Sequence, residues 1–209
     1  METDKIGEWF QLGIMGGTVL AGFIYGLRKV VKVISKNKSQ RNEERFSHIN
    51  MKIWEILSEI RLNHSASRIS LTQFHNGGKF VDGSSMRKMS ISHQSCDSKI
   101  ASTMQFRQDV LVSRFVEIID ILHDNDPRLR LLSNFNESNS KKFYELHDTV
   151  ALSILPVYSS DSLLVYGYIS VEWCDLGSFD KVTEKKLTQD LENARSQIAF
   201  LLNSSKDYR

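Results

Sequence analysis

Tyr166-Gly167-Tyr168-Ile169-Ser170-Val171-Glu172-Trp173 lies in one of the two most strand-like runs of the chain, rich in β-branched and aromatic residues. With Leu163 at its start it forms the second of two strands, Thr149 to Tyr158 being the first, around the turn Ser159-Ser160-Asp161. This pair is expected at the centre of a sheet. Beyond Trp173, Leu187, Leu191, Ala194, Ile198, Leu201 and Leu202 recur at helical spacing and predict a closing helix from about Val182 to Asn203, its apolar stripe turned to that sheet.

Towards the N-terminus, Ser138 to His147 suits a short helix and Leu129 to Leu132 a short strand. Val112, Phe115, Val116, Ile119 and Leu122 predict a helix within Phe106 to His123, stopped by Asp124-Asn125-Asp126-Pro127. Ser67 to Phe74 and Met86 to His93 alternate as an antiparallel pair, with His75-Asn76-Gly77-Gly78 supplying turn residues. Phe46, Ile49, Ile53, Ile56, Leu57 and Ile60 form the stripe of an amphipathic helix that packs on its own domain, with a dimer seam as the second option. The order helix, two strands, helical middle, two strands, helix makes an α+β domain with an antiparallel sheet.

In this order, and above all in Tyr166 to Trp173 followed by Phe179, Glu184, Leu187, Leu191, Ala194, Gln197, Ile198 and Ala199, the chain resembles the GAF family of small sensory domains. The resemblance implies a GAF/PAS-like antiparallel sheet flanked by helices. It leaves the ligand open, since members bind cyclic nucleotides, tetrapyrroles, small metabolites or nothing, and often pair through their first and last helices. No cysteine stands where a chromophore attachment can be assigned, and no cofactor is expected.

Ahead of this domain, assigned to residues 45–205, Trp9 to Leu27 carries no formal charge over nineteen residues, a helix of roughly 28 Å, and predicts a transmembrane span. Glu2, Asp4 and Glu8 before it and Arg28-Lys29 after it argue for an uncleaved anchor over a signal peptide. The basic flank Arg28, Lys29, Lys32 and Lys36 within the connector 28–44 places the domain in the cytoplasm, at an inner or plasma membrane, with the tail 1–8 outside. Gly13 and Gly17 make one small-residue ridge and Gly22 and Gly26 another, as in associating membrane helices, so a homodimer or higher oligomer is expected alongside membrane lipid.

A formal charge of +2 and no basic stripe give no nucleic-acid signature. Cys96 and Cys174 are expected as free thiols, with a single disulfide as the alternative. The six histidines lack metal-ligand spacing, and no catalytic motif is present, so neither a metal nor an enzyme is expected.

For ligand binding the candidates are His75, Asn76 and Asp82, in a glycine-rich segment whose first reading is a hairpin loop, with His93 on the partner strand and Glu172, which reads as pocket-facing or solvated. The functional expectation is a single-pass, membrane-anchored sensory or adaptor protein that binds a small molecule or a protein partner. The alternatives are a phage holin-like lysis protein, by layout alone, and a membrane scaffold without ligand.

Overall fold

A computed structural model describes residues 28–29, 31–32, 35–36, 40–79, 81, 83, 85–159 and 165–206. The chain divides into two units, Met1–Ser47 and His48–Arg209. In the first, the described residues are helical, and Arg28, Lys29, Lys32 and Lys36 are exposed on that backbone. The span Trp9 to Leu27, with Gly13, Gly17, Gly22 and Gly26, lies outside the described residues. Among the described residues no helix is long and apolar enough to cross a membrane.

The second unit opens with helix α1 (48–63). Strands β1 (Arg68–Lys79) and β2 (Ser85–Cys96) follow, then β3 (Val110–Leu111), α2 (Val116–Asp124), β4 (Arg130–Leu131) and α3 (Asn139–Leu146). Strands β5 (Ala151–Tyr158) and β6 (Val165–Trp173), the one-turn helix α4 (Leu176–Phe179) and α5 (Glu184–Lys206) complete it. All six strands form one antiparallel sheet in the order β3-β2-β1-β6-β5-β4. The first and last long strands thus meet at its centre.

Strand periodicity sorts the side chains into two cores. Ile169, Val171 and Trp173 of β6 join Ile69 and Leu71 of β1 beneath α1 and α5, which contribute Ile49, Ile53, Leu57 and Ile60, and Leu187, Leu191, Ala194 and Ile198. The stripe on α1 is therefore spent on its own domain. Tyr168 instead joins Leu152, Ile154 and Met89 on the other face, beneath α2 and α3 with Phe115, Ile118, Ile121, Leu122 and Tyr144. Gly167 lies where β6 crosses β1: a Cβ there would stand 1.9 Å from the Thr72 carbonyl oxygen, so only glycine lets the strands approach.

Two expectations are corrected. His75-Asn76-Gly77-Gly78 is strand and not turn, because His75 and Asn76 continue in register opposite Lys88 and Arg87. One register shift falls later, between Asn76 and Lys79, where Gly78 takes φ +107°; β1 ends at Lys79 and β2 begins at Ser85. The helix expected within Phe106 to His123 is broken up: Val110 and Leu111 pair with Met89 and Lys88 as an edge strand, Val112–Arg114 makes a 3-10 turn, and the α-helix begins only at Val116. The backbone at Asp109 takes φ 55° immediately before Val110 and Leu111 join the sheet. The buried face of α2 is consequently Ile118, Ile121 and Leu122, while Val116 is 58% exposed.

Candidate functional site

Glu172 alternates on β6 with Val171 and Trp173 and so faces the α2/α3 side, where it is fully buried. Its solvated reading is overturned: the sheet has a second cover, and the carboxylate is enclosed beneath it. Arg68, opposite Glu172 on β1, donates from Nε to Glu172 Oε2 at 3.1 Å. The rest of that guanidinium is satisfied too, Nη2 donating to the His147 carbonyl (2.6 Å) and Thr149 Oγ1 (2.8 Å), and Nη1 to the Ala101 carbonyl (3.3 Å). Thr149 Oγ1 donates in turn to Glu172 Oε2 at 3.0 Å. Two backbone segments, at Arg68 and Thr149, therefore converge on the Glu172 carboxylate.

A second guanidinium enters the same face. Arg107 sits where the chain returns from the loop after β2, its carbonyl accepting from Ile91 N at 3.0 Å while Gln108 Nε2 donates to the Ile91 carbonyl at 2.9 Å. Its side chain is fully buried, with Cζ 4.3 Å from the Phe143 ring centroid and 4.6 Å from that of Tyr144. Such ring contacts favour a buried cation. Glu172 Oε1 approaches Arg107 Nη2 only to 3.7 Å, too far for a hydrogen bond. All three Arg107 nitrogens, Glu172 Oε1, Tyr144 OH, Ser170 Oγ and Thr72 Oγ1 are buried without a hydrogen-bond partner.

Electrostatically the cluster is lopsided. Burial works against Arg107's charge, but the Glu172 carboxylate beside it favours it, the net direction of the pKa is upward, and the guanidinium stays charged. Burial pushes the Tyr144 and Tyr168 phenols up, which keeps both as neutral hydroxyls. Glu172 is the one buried acid among the described residues, set against the two buried guanidiniums. The rim is tied down by Gln94, whose Nε2 donates to Ser70 Oγ and Thr103 Oγ1, both at 2.8 Å, while its Oε1 accepts from Ser102 Oγ and Thr103 N.

The remaining candidates do not assemble with Glu172. His75 is part-exposed, 2.9 Å from Ser90 Oγ, Asn76 is exposed, and Asp82 lies outside the described residues. His93 pairs with Leu71 and reaches Asn50 Oδ1 of α1 at 3.1 Å, so it lies on the α1 side of the sheet. It is five positions along β2 from Lys88, the partner of His75, roughly 16 Å away. Cys96 and Cys174 are free, and burial raises both thiols, which suits inert side chains. A separate open groove of about 570 Å³ runs between α1 and α5, lined by residues including Glu55, Ile56, Gln197 and Phe200.

Burial holds the His93 pKa below its ordinary 6.5. The unfolded chain therefore takes up the proton first as the pH falls. Stability from this group is full above about pH 6.5 and declines as the pH drops below it towards the folded-state value. Urea midpoints measured from pH 8 to 5 should show that decline, and His93→Gln should reduce it; an unchanged profile in the variant would sink the assignment.

No protein-family model matches the chain, and no curated protein matches it in sequence. Solved structures do match in fold. A far-red cyanobacteriochrome photoreceptor aligns over 82% of this chain and 97% of its own, with a TM-score of 0.57 and 14% identity. The phycoerythrobilin-bound GAF domain of a cyanobacterial phytochrome aligns over 82% and 93%, with a TM-score of 0.55 and 10% identity. The GAF domain of a two-component sensor histidine kinase from Bacillus halodurans aligns over 74% and 95%, with a TM-score of 0.52 and 13% identity. The protein therefore contains a domain of the GAF fold, with a buried two-arginine, one-glutamate cluster on its α2/α3 face.

Proposed function

We propose that the chain is a sensory or adaptor protein without enzymatic activity, its GAF-fold domain held at a membrane by Trp9 to Leu27 and lying in the cytoplasm. The observation that carries the sensory part is the α2/α3 face, where buried polar atoms around Arg107 retain unused hydrogen-bonding capacity. A domain built only for packing would leave few such groups, because each costs about 1–3 kcal/mol. The similar domains add support, one of them holding phycoerythrobilin and another belonging to a sensor kinase. The anchor rests on the uncharged span and its basic flank. Self-association through the glycine ridges and the α1/α5 side belongs to the same reading, with Phe200 72% exposed at that groove.

Two measurements on the full chain test this. A reporter fused after Arg209 should be active in the cytoplasm; activity confined to the outer side would overturn the topology and favour the lysis reading. Thermal melting in detergent against cyclic nucleotides and common metabolites should reveal a stabilising compound. A flat response to all of them would remove the small-molecule sensor and leave the adaptor.

A further inference from the structure

Strands β1 and β2 outrun the rest of the sheet. Strand β6 pairs with β1 only between Arg68 and Gln73, and β3 pairs with β2 only at Lys88 and Met89. Among the described residues, 76–79 and 85–87 therefore pair only with each other, as a two-stranded arm. The arm marks the end at which the chain enters the domain. Helix α1 runs antiparallel to β1, its last turns reaching Ser95 through Ser58 and Arg61 and its first turn reaching His93 through Asn50. It covers roughly 22 Å, against roughly 36 Å for β1, so the arm projects past the first turn of α1.

That projection is basic, with an apolar tip. Val81, in the turn, is fully exposed. Lys79 and Arg87 are exposed, and no ion pair among the described residues uses either. Arg87 lies over the Phe74 ring at 5.4 Å, on the α2/α3 side. Lys88, at the base of the arm, alternates with Met89 and so lies on the α1 side, its Nζ 3.8 Å from Asp109 Oδ1. From Lys79 to Lys88 the sequence sets three cations against one acid, Asp82.

We propose that this arm rests by its tip against the anionic headgroups of the membrane that holds the chain, with Val81 entering the interface and Lys79 and Arg87 meeting the phosphates. An apolar side chain between basic ones suits that boundary, where acyl chains take the first and anionic lipids attract the second. Cations on both sides of the ribbon favour contact by the tip over contact by one flat face. A span fixed ahead of Arg28 confines the arm to within a connector's length of the headgroups, which makes even a weak contact effectively intramolecular. The proposal rests on the membrane reading given above.

The test uses the full chain carrying Val81→Cys, labelled with nitrobenzoxadiazole and reconstituted into vesicles of phosphatidylcholine with or without phosphatidylserine. The parent chain, labelled alike, corrects for Cys96 and Cys174. Phosphatidylserine should shift the emission to the blue, and added salt should reverse the shift. Lys79→Gln with Arg87→Gln should lower the docking equilibrium about thirtyfold and restore the emission seen in phosphatidylcholine. The same emission in both vesicles would overturn the proposal, as would a shift that the double variant retains. A shift evoked by soluble polyglutamate and not by the vesicles would also overturn it, in favour of an acidic protein. Extraction of the chain by alkaline carbonate would remove the anchor alone, and a phosphatidylserine-dependent shift would still support the arm.

Discussion

Glu172→Ala is expected to destabilise the domain by about 3–5 kcal/mol, the range for removing one partner of a buried ion pair. The loss has two parts. Arg68 and Thr149 lose the acceptor that holds them at 3.1 and 3.0 Å, and Arg68 and Arg107, 2% and 0% exposed, are left with no buried acid nearby. An unpaired buried charge is costlier than the pair that contained it. The double replacement Arg68→Met with Glu172→Leu should therefore recover the part of the loss that Arg68 carries, because it removes that charge along with its partner, while Arg107 stays without an acid. Denaturation of the full chain, followed by the fluorescence of buried Trp173, reads both. A double variant no more stable than Glu172→Ala would show that Arg68 is not the charge whose loss of a partner matters.

Gly167→Ala is the second large effect, expected at about 3 kcal/mol or more. The added methyl would lie 1.9 Å from the Thr72 carbonyl oxygen and 2.8 Å from Gln73 Cα, and both obstacles are backbone of the central partner strand. No rotamer change relieves that. The sheet would have to open between β1 and β6, on which both cores are built. At about 2–4 °C per kcal/mol for a domain of this size, melting should fall by roughly 6–12 °C or more. Gly177→Ala is the control: its nearest obstacle is Asp175 Oδ1 at 3.5 Å, so the change should stay below about 1 kcal/mol. Equal effects at the two glycines would mean that β6 is not packed against β1 as described.

The contrast between these positions shows where sequence reading reached and where it stopped. The stripes of α1 and α5, the strands β5 and β6 and the short helix capped by Ser138 were all legible, because each is written in a local period or a local capping residue. The resemblance of Tyr166 to Ala199 to a GAF domain agrees with the fold for the same reason. The first part of the helix expected within Phe106 to His123 was misread, since Val110 and Leu111 take their conformation from pairing with β2 and not from their neighbours. Likewise His75 to Gly78 carries turn-forming residues, yet the partner strand keeps His75 and Asn76 in register.

For the candidate site the division is sharper. Glu172 was visible as a charged residue in an apolar strand, but alternation alone cannot say whether the second face of a sheet meets water or another layer. Arg68 and Arg107 stand 104 and 65 positions before it in sequence, and neither is marked by any nearby motif.

The sequence by itself determined the elements with their own periodicity and the α+β class, because those depend on contacts within a few residues. Only the tertiary structure decided that α2 and α3 close over the sheet and that two arginines meet one glutamate there. Such a meeting depends on segments brought together by the whole fold, and its energy resides in burial that no local pattern records.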